Sequence, residues 1–346
     1  MRVVSELNPK DKRVLVRVDW NITLGKAMQI VDDTRIKRTL ETINYLRDGG
    51  AKQIILMSHL GRPEGKVVPE LSLAPVVEYA EKLIGEPISL VTQCSSVAIS
   101  QSRIIMLENL RFWEGEESND EEFVQKLASL GDVYVNEAFG DCHREAASIV
   151  GIVKKLPAYA GFDLRREIKR IMVAVDNPMR PLVVIMGGAK VEDKIKLLEV
   201  ISHKADTLLL GGKLANEFVV RGVELSGKAR VIVPVEGSDL LDIGSETQEI
   251  FAEEIVKAGT VIWNGPMGMV EDERYQVGTH AVYEALTANE SANVIVGGGD
   301  TLAAIRNEKH LERIDWISTG GGAMLKLIEM GTLVGISALG GLASGS

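Results

Sequence analysis

Cysteine is nearly absent. The 346-residue chain has two, Cys94 and Cys142, too few for a disulfide framework and in keeping with a reduced, cytoplasmic setting. Long apolar runs are missing as well, and no stretch reaches the length that crosses a bilayer. The opening MRVVSELNPKDKR lacks the apolar h-region of a secretory signal. Histidine is scarce, and no second His or Cys stands at ligand spacing from His59 or His143 apart from Cys142 beside His143, which argues against a zinc centre. Positive charge is in deficit: the net charge of −10 argues against a general nucleic-acid binder. It leaves room for a small anion in a local basic pocket. There is no repeat at a fixed period and no low-complexity tract. The end, GGLASGS, reads as a flexible tail.

What is present is one recurring pattern. Apolar runs rich in Val, Ile and Leu break at a polar or glycine-rich turn and continue as a helical stretch. The runs are RVLVRVD, QIILMSHLGR, RIIMLENLR, DVYVNEAF, LVVIMGGAK, TLLLGGK, RVIVPVEG, TVIWNGPMG, NVIVGGGDT and WISTGGGA. Continuous apolar strands alternating with amphipathic helices predict parallel sheets covered on both faces. In such α/β sheets ligands bind outside the carboxyl ends of the strands. The chain also exceeds the ~250–300 residues at which a single core stops growing, which predicts two domains. The boundary falls near LPAYAGFDLRREIKRIMVAVDNPMRP, where Leu164 to Val175 reads as a helix stopped by Pro178 and Pro181.

The two halves place different chemistry at their strand ends. The first offers Asp19, Asn21, His59, Arg62, Arg111, His143 and Arg144, with Arg35 nearby in DDTRIKR. Arginine binds phosphate and carboxylate bidentately, and Asp19 and Asn21 can hold a hydroxyl, so this half suits a small, hydroxylated, strongly anionic acid. A lone His beside an Arg in such a pocket reads as a hydrogen-bond donor. The second half offers glycine-rich turns, GGAK, GGGDT and STGGGA, whose backbone N–H groups and following helix N-termini can approach polyphosphate. Lys190 and Lys194, spaced i and i+4, either aim at successive phosphates or form a solvated face with Glu192 and Asp193. Asp300 is either a helix N-cap or a link to Mg²⁺. No G-x-G-x-x-G follows a strand, which counts against a nicotinamide-dependent dehydrogenase. GVELSGKA fails as a Walker A loop at Ala229, where Mg²⁺ needs a hydroxyl. A phosphorylated acid in one half and a nucleotide with Mg²⁺ in the other point to phosphoryl transfer, with water kept out by domain closure.

The motifs RVDWN, DDTRI, SHLGRP, LENLRF, VNEAFGDCHR, GGAKVEDKI, WNGPMGMVE, GGGDTLAAI and ISTGGGAMLKLIE, in this order over nearly the whole chain, resemble the phosphoglycerate kinase family. The resemblance implies two Rossmann-like domains, each a mostly parallel sheet with helices on both faces, joined by a hinge helix. Residues 1–160 would form a phosphoglycerate-binding domain to which 335–346 returns, and 161–334 a nucleotide-binding domain. The implied reaction is reversible phosphoryl transfer between ATP and 3-phosphoglycerate, giving ADP and 1,3-bisphosphoglycerate with Mg²⁺, by a cytoplasmic monomer without nucleic-acid or membrane partners. Phosphoglycerate would meet Asp19, Asn21, Arg35, His59, Leu60, Gly61, Arg62, Arg111 and Arg144. Arg35 and Lys190 would stabilise the transferring group, helped by the backbone at Gly298, Gly299, Gly321 and Gly322. The nucleotide would meet Lys190, Lys194, Gly211, Gly212, Asn264, Glu271, Gly298, Gly299, Asp300 and Thr301, with Glu271 at the ribose and Asp300 at the metal.

Departures from the family pattern are specific. The chain is shortened between Arg221 and Asp242, beside the expected adenine wall, and again before IIMLENLRF. Lys213 replaces a small or apolar residue near the base. Trp20 and Thr23 replace Phe and Pro, Glu137 replaces Asp, and Ala146 stands where a second His is common. The alternative to an active enzyme is a phosphoglycerate-binding relic that lost its nucleotide site through the first shortening.

Overall fold

The computed structural model describes residues 1–25, 28–93, 101–189, 192–237, 241–305 and 309–341, with the backbone alone at 192 and 193. Lys190, Cys94 and the end of GGLASGS lie outside the described residues. The chain forms two compact units, Met1–Glu167 with Thr332–Ser346, and Ile168–Gly331.

The first unit is built on strands β1 (Arg13–Arg17), β2 (Gln53–Met57), β3 (Ile88–Val91), β4 (Ile104–Leu107), β5 (Val133–Asn136) and β6 (Ala158–Ala160). They pair in parallel in the order β3-β4-β2-β1-β5-β6. Helices α1 (Thr34–Asp48), α2 (Ala74–Ile84), α3 (Glu114–Glu117) and α4 (Glu121–Ser129) fall between them. Consecutive residues of β1, β2, β4 and β5 are buried, so both faces of the sheet are covered. Each buried Val, Leu or Ile there contributes ~1.5–3 kcal/mol relative to exposure. Strands β3 and β6 were not among the ten apolar runs: ISLV is half exposed, and AYA is three residues long.

In the second unit, β7 (Leu182–Met186), β8 (Thr207–Leu210), β9 (Arg230–Ile232), β10 (Thr260–Asn264), β11 (Asn293–Gly297) and β12 (Trp316–Ser318) form another all-parallel sheet. Its order is β12-β11-β10-β7-β8-β9. Its helices are α5 (Phe162–Asp176), which starts in the first unit, α6 (Glu192–Ser202), α7 (Gly212–Val220), α8 (Ser245–Lys257), α9 (Val277–Ala288), α10 (Gly299–Ile305) and α11 (Gly321–Met330). The shortening after Arg221 leaves an irregular stretch and then β9, a three-residue edge strand. GVELSGKA lies in that stretch, with no helix after it. The last helix, α12 (Val334–Ala338), belongs to the first unit, where Gly335 N donates to Cys142 O at 2.9 Å. A Cβ at Gly335 would sit 2.8 Å from the Ile149 side chain, so that contact needs a glycine.

Both sheet orders reverse direction once, between β1 and β5 and between β7 and β10. In α/β sheets ligands bind beyond the carboxyl ends of the strands at such switch points.

Helix α5 buries Leu164, Ile168, Ile171 and Val175, one face at helical spacing. Its first turn is held by the buried carboxylate of Glu137, which accepts from Leu164 N at 2.9 Å, from Asp163 N at 3.2 Å and from the Thr42 hydroxyl. Arg38 reaches Glu167 at 2.9 Å on the same helix. Burial pushes Glu137 up to about 7 and Asp163 up to about 6. The unfolded chain ionises both near pH ~4, so the folded state holds more protons between there and pH 7. Stability from these groups therefore falls as pH rises through that window. In thermal melts, Glu137→Gln should gain on the parent steadily between pH 5 and 7.5. A difference in midpoint that stays constant with pH would rule this out.

Candidate active site

At the first switch point, Arg17 ends β1 opposite Met57 and Asn136 of its neighbours. Its side chain is 2% exposed. It donates to Asp141 Oδ2 at 2.9 Å, Ser148 Oγ at 2.9 Å, His59 Nδ1 at 3.1 Å and the carbonyl of Val18. Burial works against its charge, but Asp141 and Glu116 outweigh burial and raise its pKa. Burial likewise disfavours an ionised Asp141, yet His59, Arg17 and Arg111 hold its carboxyl well below the usual range. Burial raises Glu116, which takes the Ser148 hydroxyl at 2.5 Å.

Above this floor lie the residues expected to meet an anion. Asp19 pairs with Arg35, whose pKa Asp19 raises. Asn21 Oδ1 accepts from Gly61 N at 3.0 Å. Arg111 Nη1 donates to Gly61 O at 2.7 Å, and its Nε lies 3.3 Å from Glu117. Gly61 has φ +64°, and a Cβ there would meet Leu71 at 2.7 Å, so this turn requires glycine. Leu60 is buried, with its carbonyl held by Asn109 Nδ2 at 2.7 Å. Arg62 is exposed. Arg144 Nε is buried without a hydrogen-bond partner, 3.8 Å from Asp141 Oδ1. Arg17, Arg111, Glu116, Asp141, Arg144 and Ala146 help line a cavity of about 70 Å³. Trp20 is buried, its Nε1 on Thr39 Oγ1 at 3.1 Å.

At the second switch point, backbone does the work of side chains. A Cβ at Gly187 would lie 2.0 Å from Pro266 O, and one at Gly265 would lie 2.3 Å from Gly187 O. The loops after β7 and β10 thus touch only because both residues are glycine. The amides of Gly187, Gly188, Gly211 and Gly212 donate to Asn264 O, Pro266 O, Met186 O and Met267 O at 2.8–3.0 Å. These glycines serve close packing, and their N–H groups are committed internally. The sequence reading gives the GGAK turn to an anion; the amides of Gly187 and Gly188 in it have acceptors at the end of β10 and in the loop after it.

The glycines after β11 and β12 differ. A Cβ at Gly321 would come 2.6 Å from the Gly298 backbone, so α10 and α11 begin back to back. Gly299 and Gly322 face open space, and the first-turn N–H groups of α11 have no partner within their own helix. Between them sits Asn264, 5% exposed, with its Nδ2 buried and unpartnered. A buried amide donor beside helix N-termini is suited to an anion. Thr301 Oγ1 accepts from Gly265 N at 2.8 Å, which leaves its hydroxyl proton for an acceptor. Lys194 is buried, with Nζ donating to Gly187 O at 2.5 Å. Asp300 is exposed in the first turn of α10, and Glu271 is exposed in the turn after β10. Lys213 pairs with Glu217 at 3.7 Å. Helix α6 is described from Glu192, so the pairing of Lys190 with Lys194 falls outside the described residues.

Sequence reasoning missed Arg17 and Asp141. RVDWN and FGDCHR contain them, but an Arg and an Asp 124 positions apart carry no local sign that they will pair in the interior.

Two all-parallel sheets, one with a guanidinium cluster at its switch point and one with glycine-led helix N-termini, define a two-unit α/β protein equipped for anionic ligands. The sequence model of the family described as phosphoglycerate kinase matches residues 4–231 and 224–330. A phosphoglycerate kinase of Herpetosiphon aurantiacus is 41% identical over 380 aligned residues, covering 95% of this chain and 96% of that one. The solved phosphoglycerate kinase of Coxiella burnetii superposes with a TM-score of 0.83 at 32% identity, covering 97% and 98%. That of Pyrococcus horikoshii gives 0.84 at 28%, covering 98% of each. The chain belongs to the phosphoglycerate kinase family, and with it to the phosphotransferases.

Removing one partner of a buried ion pair strands the other charge and costs roughly 3–5 kcal/mol. Arg17→Met should lose about that much in urea unfolding, because Asp141 then lies buried without its guanidinium. A loss below about 1 kcal/mol would mean that the pair is not the support described.

Proposed function

We propose that the chain catalyses reversible, Mg²⁺-dependent phosphoryl transfer between ATP and 3-phosphoglycerate, giving ADP and 1,3-bisphosphoglycerate. The observation that carries this reading is the division of chemistry between the two switch points. One is lined by Arg35, Arg111, Arg144 and His59, while the other sets an unpartnered Asn264 amide among glycine-led helix N-termini.

In this reading Arg111 and Arg144, with the exposed Arg62, take the phosphate of 3-phosphoglycerate by charge-assisted hydrogen bonds. His59, Asp19 and Asn21 orient its hydroxyl and carboxylate. Lys194, the Thr301 hydroxyl, Asn264 Nδ2 and the amides of Gly298, Gly299, Gly321 and Gly322 hold the nucleotide phosphates. Arg35 and Lys190 neutralise charge on the moving phosphoryl group. Mg²⁺ arrives with the nucleotide. Among the described residues no group of three or more His, Cys, Asp or Glu could hold a metal. The single carboxylate of Asp300 fits an ion that keeps most of its waters and its phosphate ligands. The transfer needs no side-chain acid or base. It needs an in-line approach and the exclusion of water. In this reading the chain works as a monomer on small molecules in the cytoplasm. Among the described residues no helix is long and apolar enough to cross a membrane.

ADP release with MgATP should depend on 3-phosphoglycerate in the parent. Lys190→Ala should abolish it, and Lys194→Met should raise the KM for MgATP by about tenfold or more while leaving that for 3-phosphoglycerate within about twofold. ADP release that ignores 3-phosphoglycerate, or a Lys190→Ala variant with full turnover, would overturn the proposal.

A further inference from the structure

In the basic cluster of the first unit, the carboxylate of Asp141 touches the largest number of the groups expected at the anion, although no ligand role accounts for it. Asp141 is 4% exposed and stands among Arg17, His59 and Arg144. Its Oδ2 lies 2.9 Å from Arg17 Nη2 and 3.3 Å from His59 Nδ1, and its Oδ1 lies 3.8 Å from Arg144 Nε. The backbone ties it to the same place: Asp141 N donates to Ala138 O at 3.1 Å and Arg144 N to Asp141 O at 2.9 Å. A buried carboxylate is costly unless it is paired, and this one is paired with the floor and the wall of the anion pocket together.

The geometry points to Asp141 as a positioning residue for the phosphoglycerate site, fixing His59 and Arg144 so that both present set donors to the substrate. For His59 the argument runs through Arg17. Its Nη2 has two hydrogens, one directed to Asp141 Oδ2 and one to His59 Nδ1. A guanidinium never accepts, so Nδ1 accepts from Arg17 Nη2 at 3.1 Å in the tautomer protonated at Nε2, while Nδ1–H has Asp141 Oδ2 at 3.3 Å as its acceptor in the other. Either way the ring is held at Nδ1 and Nε2 is left for a ligand. For Arg144, Asp141 is the nearby carboxylate beside an Nε that has no hydrogen-bond partner. Ala146, in the cavity wall close by, offers no polar atom to do the same. Asp141 stays ionised through neutral pH, because its partners hold its pKa far down. Its effect is therefore constant across that range.

This inference rests on the phosphoglycerate kinase reading and sharpens one side of it. The test is steady-state kinetics with each substrate varied in turn, for the parent, Asp141→Ala and Asp141→Asn. Asp141→Ala should raise the KM for 3-phosphoglycerate by about tenfold or more, the worth of one charge-assisted hydrogen bond. The KM for MgATP should stay within about twofold and kcat at saturation within about threefold. Asp141→Asn keeps shape and an acceptor for Arg17, so it should recover part of the loss. If Asp141→Ala fails to fold, the Asn variant alone decides, by calorimetric titration with 3-phosphoglycerate. An unchanged KM or affinity overturns the proposal. So does a fall in kcat with both KM values unchanged, because that reports only less folded enzyme. A parent that neither turns over nor binds 3-phosphoglycerate fails the kinase reading itself. A parent that does both, with variants that match it, fails only the role of Asp141.

Discussion

A guanidinium buried at the end of β1 is the constraint on which the first unit depends. Arg17 sits where apolar packing would otherwise close the sheet, and its charge survives there because Asp141, Ser148 and His59 surround it. Those partners come from the stretches after β2 and β5, so satisfying one charge fixes both relative to the switch point. The pocket residues Asp19, Asn21, Gly61, Arg111 and Arg144 then hang on a frame that is already set. Replacing such a network with apolar side chains would serve stability as well or better. Its retention here is best understood as order in a site that must hold several cations close together without an anion to separate them.

The second unit meets a related demand with backbone. Where the first unit uses long side chains, the loops after β7 and β10 approach until only glycine fits, and α10 and α11 start in contact at Gly298 and Gly321. Close approach concentrates helix N-termini and one amide side chain around a small volume, which suits a polyphosphate better than flexible lysines alone could. The shortening between Arg221 and Asp242 falls at β9, on the sheet edge opposite β12. That stretch lies outside the strands β7, β10, β11 and β12 that bear these loops.

Much of this was legible in the sequence. Parallel sheets buried on both faces leave unbroken Val, Ile and Leu runs, and the polar or glycine residue that ends each run marks the ligand side. The linking helix was readable from its apolar spacing and the prolines behind it. Strands β3 and β6 were not, because a half-exposed edge strand and a three-residue strand carry too little pattern. The glycines of GGAK and GGK were visible, but their purpose was not. Whether an amide serves a ligand or a neighbouring loop depends on a partner about 25–80 residues away in sequence. Arg17, Asp141 and Glu137 were hidden for the same reason: a buried charge is recognised by its partner, and the partner is set by topology. The family resemblance named the cations proposed to meet a ligand and left out Asp141, the carboxylate paired with Arg17 among them.

The central claim is that this chain moves a phosphoryl group onto a carboxylate and keeps it from water. Phosphorus NMR of the protein with MgATP and 3-phosphoglycerate tests it directly. With glyceraldehyde-3-phosphate dehydrogenase and NADH present to draw off the acyl phosphate, the account predicts a glyceraldehyde 3-phosphate resonance that grows with ADP and vanishes when 3-phosphoglycerate is omitted. ADP accompanied only by inorganic phosphate, or no change in the spectrum of a folded sample, would contradict it.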